Sequence, residues 1–454
     1  MTNKPTYYFL GIGGIGMSAL ARYFHAKGCT VLGYDRTRTP LTEELEHEGI
    51  AIHYAAHNLS HADLKPTNTI VVYTPAIPAD FEEFVYFKTN NFSMLKRAQV
   101  LGEITRHAKG MCIAGTHGKT TTSTMTAHLL YSSHVGCSAF LGGVSKNYGT
   151  NLLLPRSNSD FVVIEADEYD RSFHHLSPYM ALISSIDADH LDIYADKDDF
   201  RRSFEHFASL VQEGGCLVVK HGLQLQLPAH IQSYSYGMNE GDFHAENIRI
   251  ENGEISFDFV TPHEIVKNIQ LGVPVLINVE NAVGAMALAH TAGVSPEELH
   301  SGIASFKGIK RRFDIQLKAE KLVYIDDYAH HPEELKASIL SIKALYPNRT
   351  VCGIFQPHLY SRTRDFAQEF GTSLSLLDEV VLLDIYPARE LPIAGVSSDL
   401  IFKNISISHK IQLHKNEVIE FLKQKTNIDI LVTFGAGDID QLVVPITQEL
   451  RNKC

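Results

Sequence analysis

The stretch Met111-Cys-Ile-Ala-Gly-Thr-His-Gly-Lys-Thr-Thr-Thr122 decides how the chain is read. Met111 to Ala114 are apolar and short, as in a buried strand. Gly115-Thr116-His117-Gly118 is a tight turn. Lys119 and Thr120 then open a run through Leu130 with the length and apolar spacing of a helix. Strand, glycine turn and helix start together make a phosphate cradle. First-turn N–H groups lack intrahelical acceptors, the helix dipole is positive there, and glycines let an anion approach the backbone. Lys119 adds a point charge for terminal phosphates, and the Thr120 hydroxyl suits a Mg²⁺ ion. The candidate nucleotide-binding residues are therefore Gly115, Thr116, His117, Gly118, Lys119, Thr120 and Thr121. The general P-loop spacing needs a glycine where Ile113 stands, so the argument rests on the geometry rather than on the pattern. A purely structural glycine turn with a solvated lysine is the competing reading.

A second glycine loop lies at the amino end, in Tyr7-Tyr-Phe-Leu-Gly-Ile-Gly-Gly-Ile-Gly-Met-Ser18. Gly11, Gly13 and Gly16 follow a strand, a helix runs on to about Ala26, and a strand from Cys29 ends at Asp35. This βαβ pattern suits a dinucleotide or any nucleoside diphosphate, with Asp35 where a ribose or base would be read. Gly13, Gly14, Ile15, Gly16 and Asp35 are its candidate ligand residues, and a structural turn remains open. Lys96, Arg97 and Arg106 precede the phosphate-cradle strand, either as phosphate contacts or as solvated cations.

Beyond the cradle, Phe161-Val-Val-Ile-Glu-Ala-Asp-Glu168 ends an apolar strand in three carboxylates. A carboxylate at the end of a neighbouring strand is a common Mg²⁺ partner in such folds. The period of two puts Glu165 and Asp167 on one face and Glu168 on the other. Met180 to Ile186 is a further strand, ending in Asp187-Ala-Asp-His-Leu-Asp192. From Tyr234 to Ile269, alternation about Asn252-Gly253 suggests a small appended antiparallel hairpin. Asn278 to Asn281 opens a helix to about His290, as caps or as ligand contacts. Phe306-Lys-Gly-Ile-Lys-Arg-Arg-Phe313 gathers cations, of which an arginine can neutralise a transferring phosphoryl group; a solvated linker is the alternative. Four later strands, from Lys321, Thr350, Glu379 and Ile428, each end in polar residues, as in an α/β sheet facing a cleft. The His330-His331 pair lacks a third ligand at helical spacing, so hydrogen bonding to substrate is preferred to metal binding.

The length of 454 residues, at about 150 per domain, suggests three domains. The boundaries read as 1–108, 109–314 and 315–454. The net charge of −12 argues against a nucleic-acid or anionic-membrane partner. Six scattered cysteines without a C-x-x-C pair point to a reducing compartment. With no charged-then-apolar leader and no long apolar run, a cytoplasmic location without membrane insertion is expected.

The residues Gly115-Thr-His-Gly-Lys-Thr-Thr121, Glu165-Ala-Asp-Glu168, Asp189-His190, Asp326-Asp-Tyr-Ala-His-His-Pro332, Phe355-Gln-Pro-His358 and Gly435-Ala-Gly-Asp438 resemble the motifs of the Mur ligase family across all three segments. The resemblance implies an α/β fold of three domains. These are an amino-terminal Rossmann-like UDP-binding domain, a central P-loop-type ATPase domain with a mostly parallel sheet, and a carboxy-terminal Rossmann-like domain. It assigns the first glycine loop to a UDP-sugar rather than to a nicotinamide cofactor. The implied reaction is ATP-driven amide formation through an acyl phosphate, with ATP and Mg²⁺ as cofactors. Within the family the motifs are most similar to those that join L-alanine to the lactyl carboxylate of UDP-N-acetylmuramate. Transfer of a recycled murein tripeptide to the same nucleotide sugar is the alternative. Carried over by the resemblance, Lys119 meets the terminal phosphates, Thr120 and Glu165 hold a first Mg²⁺, and His190 a second. Asn281, Asp327 and Tyr328 contact the nucleotide, and Arg312 the transferring phosphate. His330 and Arg362 face the incoming amino acid. Lys119, His190, Arg312 and His330 form the implied catalytic set, in a monomer or weak homodimer. Two positions depart from the family pattern: Ile277 stands before Asn278 where histidine is common, and Leu359 follows Phe-Gln-Pro-His where arginine is common.

Overall fold

Short apolar strands, each closed by a glycine or polar turn, alternate with helices along the chain and build three sheets among the described residues. The computed structural model describes residues 4–55, 64–156, 158–187, 193–251, 253–388 and 390–453. In the first sheet, β1 (Thr6–Leu10), β2 (Thr30–Tyr34), β3 (Ala51–His53), β4 (Thr69–Tyr73) and β5 (Ser93–Lys96) lie in the order β3-β2-β1-β4-β5. All of its pairings are parallel. The order reverses at β1, so loops diverge at its carboxyl end and leave a crevice there. The glycine loop and the helix Ile15–Ala26 begin at that point.

The second sheet takes ten strands: β6 (Lys109–Ala114), β7 (Ser138–Phe140), β8 (Leu152–Leu153), β9 (Phe161–Glu165), β10 (Met180–Ile183), β11 (Cys216–Lys220), β12 (Gln232–Gly237), β13 (Phe243–Glu251), β14 (Glu254–Val260) and β15 (Ile265–Gln270). Their order is β15-β14-β13-β12-β11-β10-β6-β9-β7-β8. β6 runs parallel to β9 on one side and β10 on the other, so the carboxyl ends of all three meet at the cradle. The expected appended hairpin lies within the sheet itself, where the consecutive strands β13 and β14 are neighbours. β12 pairs in parallel with β11, and β12 to β15 extend the sheet. The open edge of β11 offers unpaired backbone groups that a following strand satisfies, a contact that alternation within the segment does not reveal.

The third sheet comprises β16 (Asp314–Lys318), β17 (Val323–Asp327), β18 (Val351–Phe355), β19 (Glu379–Leu382), β20 (Lys410–Gln412) and β21 (Ile430–Phe434), ordered β16-β17-β21-β18-β19-β20. Only β16, at the edge, is antiparallel to its neighbour among these described pairs. β17, β18 and β21 are buried along their whole length, which suits strands covered on both faces.

The chain divides into two compact units. One holds Met1–Ile248, Phe257–Gly272 and Val279–Lys307; the other holds Arg249–Ser256, Val273–Asn278 and Gly308–Cys454. Within the first, a single apolar cluster joins Phe9, Ile12 and Leu20 to Phe140, Ile164 and Phe204. The first and second sheets therefore share a core. The second unit is centred on Tyr324, Ile354, Leu431 and Ile446. Among the described residues no helix is long and apolar enough to cross a membrane.

Candidate functional site

The cradle forms where the sequence places it, between β6 and the helix Lys119–Ser132. Gly115 has φ +140° and Gly118 φ +81°, conformations that an L side chain rarely adopts. A Cβ on Gly115 would come within 2.1 Å of Ser184 Oγ, and one on Gly118 within 2.7 Å of Asn281 Oδ1. The helix starts without a side-chain cap, so its first-turn N–H groups, Thr121 among them, face the loop as an anion site. Two serines after β10 brace the turn. Ser185 Oγ accepts from the His117 amide at 2.8 Å, and Ser184 Oγ donates to the His117 carbonyl at 2.5 Å. The Thr116 hydroxyl donates to the Asp187 carbonyl at 3.0 Å. Ser184 and Ser185 were not singled out from the sequence, because their role depends on β10 lying beside β6.

The Lys119 ammonium has three protons and three acceptors. They are the Gly115 carbonyl at 2.5 Å, the Thr116 carbonyl at 3.3 Å and Glu168 Oε1 at 2.8 Å. Strand alternation places Glu168 away from Glu165 and Asp167, and this is corrected by the structure. β9 ends at Glu165, so the period of two does not extend to Glu168, which turns in to Lys119. Glu168 is nearly fully buried, and burial outweighs the attraction of Lys119 and pushes its carboxyl up to about 7.

The Thr120 hydroxyl donates to Glu165 Oε1 at 3.2 Å. Two hard oxygen donors beside a phosphate cradle fit Mg²⁺, which takes few protein ligands and completes its shell with phosphate and water oxygens. Among the described residues no three His, Cys, Asp or Glu side chains form a ready metal cage. Gly142 backs the carboxylate so closely that a Cβ there would lie 1.9 Å from Glu165 Oε2. His190, expected at a second metal, lies outside the described residues, as does Asp189. Asn281, on the helix Leu276–Thr291, reaches the cradle, with its Oδ1 3.3 Å from Thr122 Oγ1. Asn278 is buried and donates to the Val273 carbonyl at 3.3 Å.

The first glycine loop satisfies most of its own amides. Gly11 and Ile12 donate to the Tyr34 carbonyl, Gly14 to Gly11, and Gly13 to Asp35 Oδ2 at 2.8 Å. The other Asp35 oxygen accepts from Thr37 N at 3.1 Å. Asp35 thus braces the loop. Ile15 and Gly16 open a helix that has no side-chain cap. Arg97 lies against Gly16, where a Cβ would meet its Nη1 at 2.2 Å, and donates to Asp167 Oδ2 at 3.0 Å. Lys96 pairs with Asp170 at 2.6 Å, while Arg106 pairs with Glu103 at the surface. A cavity of about 150 Å³, lined by Ile15, Gly16, Arg97, Gly142, Glu165 and Asp167, connects the helix start to the Glu165 carboxylate.

In the second unit, Arg312 lies over the Tyr328 ring at 5.2 Å from its centroid. Arg311 is committed to the fold instead, donating to Asp326 at 3.3 Å and to the Gly435 carbonyl at 2.6 Å. Asp327 is buried at the end of β17 and accepts from Ser338 Oγ at 2.6 Å. Burial pushes its carboxyl up to about 6. His330 Nδ1 is 3.0 Å from the Tyr328 carbonyl, which only accepts, so Nδ1 carries the proton and Nε2 keeps its lone pair. Burial, with a contribution from nearby Arg362, pulls the His330 pKa below its ordinary value. His331 is the N-cap residue of the helix Pro332–Leu345. Arg362 sits in the short helix Tyr360–Asp365, whose N-cap, Leu359, adopts φ +71° and is buried.

Three family models match successive stretches of the chain: the Mur ligase family catalytic domain over residues 6–109, the Mur ligase middle domain over 113–289 and the Mur ligase glutamate ligase domain over 311–437. The chain is 57% identical over 451 residues to the UDP-N-acetylmuramate–L-alanine ligase of Phocaeicola vulgatus, covering 98% of both. It is 54% identical over 453 residues to the enzyme of that name from Porphyromonas gingivalis, covering 98% of this chain and 99% of the relative. Among solved structures, the UDP-N-acetylmuramate-alanine ligase of Thermotoga maritima superposes with a TM-score of 0.83 at 25% identity, covering 99% of this chain and 100% of that one.

Proposed function

The chain belongs to the Mur ligase family, and from that premise we propose that it joins L-alanine to the lactyl carboxylate of UDP-N-acetylmuramate at the expense of ATP, in the cytoplasmic synthesis of peptidoglycan precursors. The observation that carries the proposal is the cavity running from the uncapped helix start at Ile15 to Glu165, whose carboxylate accepts from Thr120 in the first turn of a second uncapped helix, Lys119–Ser132. Each helix start suits a phosphate group. The diphosphate of the UDP-sugar is assigned to Ile15 and Gly16, and the ATP phosphates to Gly115 through Thr121.

Thr120 and Glu165 would hold Mg²⁺, which when bound offsets charge on the phosphate oxygens. His190 is kept as the proposed partner of a second ion. Lys119 would exchange its contacts for the terminal phosphates. A lactyl oxygen attacks the γ-phosphorus and the bond to ADP breaks, leaving an acyl phosphate. The amine of L-alanine then attacks the acyl carbon, a C–N bond forms and phosphate leaves. In the second unit, Arg312 supplies charge for the transferring group, Asp327 and Tyr328 meet the nucleotide, and Arg362 takes the amino acid's carboxylate. His330, kept neutral with a free Nε2, accepts the proton lost by the amine.

The experiment is ADP release measured with ATP, Mg²⁺ and UDP-N-acetylmuramate against a panel of L-alanine, glycine, L-serine and murein tripeptide. L-alanine should give the highest kcat/KM. Preferred turnover of the tripeptide would overturn the amino-acid assignment.

A further inference from the structure

Asn151 bonds to residues on both walls of the cavity that runs from the Ile15 helix start to Glu165. Its backbone carbonyl accepts from the amide of Leu141, the residue before Gly142, at 2.9 Å. Its side chain reaches across to the first turns of the helix Ile15–Ala26. The amide nitrogen donates to the Ile15 carbonyl at 2.6 Å and to Ser18 Oγ at 2.9 Å, and the amide oxygen accepts from Arg22 Nη1 at 2.6 Å. Arg22 can only donate and a carbonyl can only accept, so the orientation of the amide is unambiguous. Arg22 is held in turn by Glu48 at 2.7 Å and Glu44 at 3.1 Å. Asn151 and Ser18 are fully buried and Arg22 nearly so. Such a saturated buried network has little freedom to shift.

We propose that Asn151 is a positioning residue for the ligase reaction, setting the reach from the Ile15–Gly16 helix start to the Thr120–Glu165 pair. The proposal rests on the preceding reading, in which the UDP-sugar diphosphate lies at that helix start. The lactyl carboxylate and the diphosphate belong to one molecule, so the separation of the two walls decides whether the carboxylate meets the transferring phosphoryl group. Asparagine suits the task because it donates twice and accepts once. Aspartate would face the Ile15 carbonyl with a second acceptor, and alanine would leave buried groups unpaired.

The test uses the full chain with Asn151→Ala, Asn151→Asp and the milder Ser18→Ala. Calorimetry measures affinities for UDP-N-acetylmuramate and for ADP, steady-state phosphate release gives kcat and each KM, and hydrogen exchange follows the amides of Ile15, Gly16 and Met17. Both Asn151 variants should bind the UDP-sugar at least about tenfold more weakly and lose about 10- to 100-fold in kcat, with ADP affinity and the KM for L-alanine unchanged. Ser18→Ala should move the same quantities less, and exchange at residues 15–17 should quicken in all three. A folded Asn151→Ala with native UDP-sugar affinity and kcat, or with ADP weakened equally, overturns the proposal. Should the Asn151 variants fail to fold, Ser18→Ala decides on the same terms. Wild-type protein that does not bind the UDP-sugar sinks the glycine-loop reading instead, and unchanged exchange in the variants then still refutes the clamp.

Discussion

Replacing Gly142 by alanine isolates the placement of one carboxylate. The added Cβ would lie 1.9 Å from Glu165 Oε2 and 2.6 Å from its Cδ, whereas real Cβ contacts essentially never fall under 3.0 Å. The carboxylate must therefore move by about 1 Å, from 1.9 to at least 3.0 Å. It leaves the position in which Glu165 Oε1 sits 3.2 Å from Thr120 Oγ1. Gly142 is outside the left-handed region, so alanine brings no backbone strain and the effect is confined to the clash. A misplacement of about 1 Å in a reacting constellation costs about 100-fold in rate, which is about 2.7 kcal/mol of activation free energy. Phosphate release should thus fall about 100-fold in kcat, and half-maximal activity should need more Mg²⁺. Gly149→Ala is the control: it has φ +69° with nothing within 4 Å of a Cβ, so it should lose about 1 kcal/mol of stability and keep its kcat. Near-native kcat and Mg²⁺ dependence in Gly142→Ala, or an equal loss in Gly149→Ala, would refute the reasoning.

Lys119→Ala should abolish ADP release while leaving UDP-N-acetylmuramate affinity near native in calorimetry; retained turnover sinks the cradle assignment. Arg362→Ala should raise the KM for L-alanine strongly and leave that for ATP little changed, and equal weakening of both would move Arg362 to the nucleotide. Glu168 has its pKa raised from 4.5 to about 7 by burial, so its protonated form favours the folded state. That contribution is full below about 4.5 and is lost as pH rises through about 7, a change of about 3 kcal/mol. Denaturant unfolding of Glu168→Gln at pH 5 and pH 8 should show a correspondingly smaller loss of stability with pH than the wild type; identical pH dependence in the two proteins counts against it.

What the sequence revealed about this fold is mostly what neighbours along the chain decide. The strand–turn–helix from Lys109 to Ser132 was legible because its apolar run, two glycines and uncapped helix start are contiguous, and Gly115 and Gly118 take the conformations glycine permits. The alternation of strands and helices likewise pointed to parallel sheets. The hidden parts depend on which strand lies beside which. Asn151 meets Arg22 across 129 positions and Ile15 across 136, and no periodicity links them. Glu168 was misread because alternation was continued past the end of β9. Gly142 is the instructive intermediate. The sequence has the pair Gly142-Gly143, but the purpose of Gly142 follows only from the parallel register of β7 and β9. That register sets Phe140 opposite Ile164 and so carries the chain after Phe140 past the Glu165 side chain. A carboxylate at a strand end and a glycine just after the neighbouring strand are each common. Once the two strands are known to be adjacent, the side chain missing at residue 142 becomes a constraint on where Glu165 can point.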